Sequence, residues 1–146
     1  MLSGERSILS SDKSQLLGVL SKLPLVIKVN PQREIAKQEQ SRNNLLNRAS
    51  RAVGAEKFLA VYDASMRSLE IILLLHSLRL RDMPHRVLKE VVKFLSPNFD
   101  IDELVAKRHQ IKKNQQNVNQ KDLDQAAALE LLLSDSVLKI RSQLCD

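Results

Sequence analysis

The strongest periodic signal in the chain lies between Ala55 and Leu78. Phe58, Tyr62, Met66, Leu69, Leu73 and His76 recur at spacings of three and four, and Ala55, Leu59, Ile72 and Leu75 widen the stripe. That is the period of a helix. Its C-terminal half is apolar nearly all round, which predicts a central, buried helix. A second stripe, Val87, Leu88, Val91, Val92, Phe94 and Leu95, follows Pro84 and stops at Ser96-Pro97-Asn98. A proline suits the first turn of a helix and breaks one elsewhere. Ile101, Leu104, Val105 and Ile111 mark a further helix, capped by Asp100 or Asp102. Leu129, Leu132, Leu133, Val137, Ile140 and Leu144 mark a last one, opened by Lys121 or Asp122.

The N-terminal third is less regular. Asp12 can cap a short helix over Lys13 to Lys22, and Pro24 ends it. Leu25 to Val29 is a β-branched run, too short to assign, that suits an extended arm. Pro31 opens a mostly polar helix from Gln32 to about Val53, which Gly54 ends. Between Lys112 and Gln120 the chain is rich in Asn and Gln and is expected to fray or loop. The Ser-rich residues 1–11 are expected to be mobile. The sequence thus predicts an all-α, up-and-down bundle of about five helices over residues 30–146, preceded by an extension, residues 1–29, partly mobile with a short helix.

Composition agrees with this class. With 43% hydrophobic and 27% charged residues in 146, one ordinary core can be filled. Three Gly and four Pro leave few turns, which favours long helices over many short strands. The longest apolar run, Ile71 to Leu75, is far short of the roughly 20 residues of a membrane span. Glu5, Arg6, Asp12 and Lys13 interrupt any secretory leader. The single cysteine, Cys145, excludes an internal disulfide or a Cys-pair metal site, and a reducing, cytoplasmic setting fits best. No metal and no cofactor is expected.

The net charge of +6 permits a polyanionic partner. Its distribution is more telling. Val105 to Lys121 carries five Lys or Arg and no acid, whereas Asp122 to Asp146 carries five acids and two bases. Two basic clusters result. Arg108-His109 with Lys112 and Lys113 pairs a fixed cation with a group that titrates near neutrality, the ingredients of phosphate binding and of metal-independent RNA cleavage. The competing reading is a solvated basic helix end that complements the helix dipole. Arg79, Arg81, His85 and Arg86 sit at the start of another helix, where an anion could meet the free amides. There the competing reading is a packed His85 beside surface arginines. His76, on the apolar stripe, reads as a core histidine with one hydrogen-bond partner.

The order of segments resembles the HEPN family. The likeness rests on Ala60, Tyr62-Asp63-Ala64, Met66-Arg67, Leu69-Glu70 and the run to Leu75. Leu78-Arg79-Leu80-Arg81, His85-Arg86 with Leu88, and Leu104 with Lys107-Arg108-His109 complete it. It covers about residues 32–144. The family's nuclease motif is an Arg, a polar residue, and a His four to six positions after the Arg. Arg108 and His109 match the first two, as tentative catalytic residues. Lys112, Lys113 and Asn114 stand where the His belongs. The resemblance therefore implies RNA or nucleotide binding through Arg79, Arg81, His85, Arg86, Arg108, Lys112 and Lys113, with ribonuclease activity degraded or absent. It also implies a homodimer, and a nucleotidyltransferase-type protein partner in a toxin–antitoxin-type module. The alternative from another class is a helical adaptor. Its polar first helix and acidic last helix would meet another protein, and the basic residues would be incidental.

Overall fold

A computed structural model describes residues 10–114 and 117–145 of the chain. The expectation of mobility for residues 1–11 falls mostly outside them. Among the described residues, six helices and two short strands run in the order α1 (Ser10–Leu20), β1 (Leu25–Ile27), α2 (Gln32–Arg51), α3 (Gly54–Leu75), β2 (Leu78–Leu80), α4 (Pro84–Leu95), α5 (Ile101–Asn114) and α6 (Gln120–Cys145). The molecule is an all-α helical bundle with one minimal sheet.

α3 is its axis. It packs along α2 on one side and α6 on the other, and also touches α5 and β2. Phe58, Tyr62, Leu69, Ile72 and Leu73 on α3 are fully buried. Each such side chain contributes about 2 kcal/mol of burial free energy. Leu16 and Leu20 of α1 are equally buried and pack into the same core as Val87, Leu88, Val91 and Val92 of α4.

The segment that joins α3 to α4, whose Arg79 and Arg81 the sequence placed at a helix start, is partly a strand. Leu25 pairs with Leu80, Val26 with Arg79 and Ile27 with Leu78, antiparallel. The bonds Lys28 N–H to Ser77 O (2.8 Å) and Arg81 N–H to Pro24 O (3.1 Å) extend this ladder at both ends. The apolar run after Pro24 is thus the partner strand. Helix ends also differ from expectation. α2 closes at Arg51, and Gly54, with φ +59°, opens α3 rather than ending α2. A side chain pays for a left-handed backbone there, and glycine does not. Asp100 caps α5, its Oδ1 accepting from Glu103 N–H at 3.1 Å. Asn119 and Asp122 exchange side chain–backbone bonds of 2.9 and 3.1 Å, a reciprocal cap that starts α6.

Ion pairs fix α4, α5 and α6 to one another. Lys89 and Lys93 reach Asp102 at 3.2 and 3.5 Å, and Lys107 reaches Asp122 at 3.4 Å. The Lys89 ammonium, hydrogen-bonded to Asp102, holds that carboxyl below the usual range. On the far side, Arg42 of α2 binds Glu130 (2.7 Å) and the Ser134 hydroxyl (2.7 Å) of α6.

Candidate nucleic-acid interface

Tyr62 of α3, His85 of α4, and Arg108 and His109 of α5 meet at one place. Helical spacing brings them there. Tyr62 follows Phe58 by one turn on the buried stripe, and the two rings stack at 6.3 Å. His85 precedes Leu88 by three residues and so shares that residue's inward side. Arg108 follows Leu104 by four and precedes Ile111 by three, both buried, so its stem is drawn inward and it is half-buried. Met83, just before the turn that delivers His85, adopts a left-handed backbone with φ +54°. For a residue other than glycine this costs about 1–2 kcal/mol.

The contacts are specific. The Tyr62 hydroxyl lies 2.9 Å from His85 Nδ1. Arg108 Nη1 lies 3.2 Å from His85 Nε2. The guanidinium carbon also sits 5.3 Å from the Tyr62 ring centroid, within cation–π reach. His109, exposed, sets its ring edge-on to His85 at 5.0 Å.

These partners fix the protonation of His85. Arginine only donates, so Nε2 must be the acceptor and carries no proton. The neutral ring then holds its proton on Nδ1 and donates it to the Tyr62 oxygen. Electrostatics point the same way. Burial pushes the His85 pKa below its ordinary value, the charges of Arg108, His109 and Lys89 push it further, and Asp63 opposes them. Burial raises the Tyr62 phenol well above the tyrosine range, against a lowering by Arg108. Tyr62 is therefore a fixed, neutral hydrogen-bonding group.

Arg108 differs from the other half-buried arginines. Arg42 is paired with Glu130, Arg67 with Glu70 and Arg141 with Glu39. Arg108 alone of the four has no salt bridge among the described residues; its buried Nε–H, like those of Arg67 and Arg141, meets no acceptor. A cation held half out of water without a counter-charge is poised for an external anion. His109 and the exposed Arg86, Lys112 and Lys113 lie on the same two helices. Arg86 itself rests against the Met83 sulfur at 4.0 Å.

Arg79 and Arg81 do not join this cluster. Arg79, exposed on β2, faces a hollow of about 90 Å³ shared with Glu34, Gln38 and Glu70. Burial raises the pKa of Glu70, against Arg67 and Arg79, which lower it. Arg81 is exposed and bonds to Pro24 through its main chain. His76 ends α3, with Nδ1 2.8 Å from the Ile72 carbonyl. Sequence reasoning missed the role of Tyr62, which it placed only in the core stripe. A buried tyrosine hydroxyl needs a partner, and that was the available signal.

No protein family, curated protein or solved structure matches this chain. Among the described residues, no group of three or more His, Cys, Asp or Glu is placed to hold a metal ion, and no helix is long and apolar enough to cross a membrane.

Proposed function

We propose that this chain is a HEPN-like helical protein that binds RNA through its phosphate backbone, with Arg108 and His109 as the phosphate-holding groups, Arg108 positioned by His85, and little or no ribonuclease activity. The observation that carries this reading is the unpaired Arg108, held against a neutral His85 and flanked by a second histidine. A phosphodiester oxygen supplies the acceptor that Arg108 lacks. Arg86, Lys112 and Lys113 add a diffuse attraction to neighbouring phosphates. Cleavage needs a free imidazole lone pair to take a proton from the 2′-hydroxyl. In the resting site Arg108 occupies that lone pair on His85, so His85 acts as a base only once Arg108 moves off it. Few aromatics are exposed for base stacking, so binding is weakly selective for sequence.

The HEPN resemblance adds a homodimer and a nucleotidyltransferase-type protein partner to the proposal, and the single cysteine adds a cytoplasmic setting. A second reading, a protein-interaction module, is favoured by Leu131 and Leu138 of α6, each 68% exposed and two turns apart on one face. Fluorescence anisotropy with a labelled single-stranded RNA separates the two. The RNA reading expects affinity to fall steeply, linearly in log salt, between about 50 and 200 mM. Absence of binding at low salt sinks it in favour of the protein-interaction module.

A further inference from the structure

A hollow of about 160 Å³ opens between α2, α3 and α6, away from the Arg108 cluster. Its walls are Glu39 and Arg42 of α2, Ser68 and Ile71 of α3, and Ser134 and Arg141 of α6, among others. Two hydrogen-bond donors on these walls lack an acceptor among the described residues: the Ser68 hydroxyl and Arg141 Nε. Ser68 is completely buried. Ser65 and Ser136 turn their hydroxyls back to the carbonyls of Val61 (3.1 Å) and Leu132 (2.8 Å), one turn earlier. Ser68 does not, and a buried hydroxyl without a partner costs roughly 1–3 kcal/mol. Arg42 is paired with Glu130 through Nε and Nη2 and reaches Ser134, so it brings no uncompensated charge. Arg141 Nη2 is paired with the Glu39 carboxylate at 3.0 Å, and the Glu39 side chain is 44% exposed.

We infer that this hollow is a binding site for a small oxyanion, a carboxylate or a phosphate group, held by Arg141 and the Ser68 hydroxyl. The acceptor oxygens of such a group satisfy the donors that the protein leaves open, and Glu39 swings outward to release Arg141. Of the wall's three charged residues, Arg141 is offset by Glu39 and Arg42 by Glu130 behind it, so the charges cancel. Binding is therefore weak, with Kd on the order of millimolar. Ile71, Val137 and Leu138 bound the remaining space, so the rest of the ligand is small and apolar.

Amide NMR titrations of the full chain with sodium acetate and with sodium phosphate, against sodium chloride at equal ionic strength, test this. Saturable shifts centred on residues 68, 134 and 141 are expected with at least one anion, and the effective anion names the ligand class. Glu39→Gln removes the competing carboxylate and is expected to tighten binding roughly fivefold, the effect of one unit charge about 4 Å away in water. Arg141→Gln is expected to abolish it. Ser68→Ala removes only an unpartnered hydroxyl, so its fold is safe, and it is expected to weaken binding severalfold. No saturable shift at this hollow up to about 100 mM of either anion, or saturation indifferent to both Ser68→Ala and Arg141→Gln, overturns the assignment. Shifts confined to residues 85, 108 and 109 report the other cluster and likewise overturn it.

Discussion

Replacing Tyr62 with phenylalanine removes one oxygen and nothing else. Tyr62 is completely buried, and its oxygen accepts from His85 Nδ1 at 2.9 Å. The ring remains, so the stack on Phe58 and the position of Arg108 over the ring are kept, and no cavity forms. The loss is one hydrogen bond between neutral groups, about 1 kcal/mol. Urea unfolding near about pH 8, where the ring is neutral, is expected to show a lower midpoint at unchanged slope. Thermal unfolding is expected to shift down by about 4 °C for a chain of this size. Imidazole ¹⁵N spectra of the wild-type protein supply an independent check, because they report which ring nitrogen is protonated. Unchanged stability in Tyr62→Phe, or a His85 proton on Nε2, refutes the reasoning, since Nε2–H cannot accept from Arg108.

The depressed His85 pKa makes stability depend on pH with a definite sign. The unfolded ring binds a proton near pH 6.5 and the folded ring resists it, so the stabilisation is complete above pH 6.5 and is lost as pH falls through the lower folded value. Denaturation across this range is expected to show that slope in the wild type and its loss in His85→Gln. Leu69→Ala, at a fully buried position of α3, is expected to cost about 3 kcal/mol in the same unfolding assay, well above the Tyr62→Phe effect. Arg42→Ala breaks the contacts of α2 with Glu130 and Ser134 and is expected to cost about 2 kcal/mol, because charge-assisted bonds are lost from a half-buried place.

The helices were legible because their stripes are long. The stripes after Pro84 and Asp100 each have a turn or cap signal before them and a recurring apolar face. The small sheet was not legible. Three residues give no period, and Leu25–Ile27 and Leu78–Leu80 find each other only because α2 and α3 fold back and return the chain. Gly54 was misjudged because a glycine with positive φ serves a helix start in a tight α2–α3 junction as readily as a helix end. At the candidate site, Arg108, His109 and His85 were visible as basic and titratable residues near helix ends. Their convergence was not, since it depends on how α4 and α5 cross α3. The sequence also grouped Arg79 with His85, six residues away. The strand carries Arg79 toward Glu70 instead.

The most direct test of the RNA-binding account compares Arg108→Ala with Arg79→Ala in binding to a single-stranded RNA. Each substitution removes one positive charge, so bulk electrostatics predicts equal losses. The account predicts that Arg108→Ala loses at least about tenfold more affinity than Arg79→Ala, and that its salt dependence becomes shallower by close to one ion. Equal losses, or an Arg108→Ala protein that stays folded and binds as the wild type does, would contradict it.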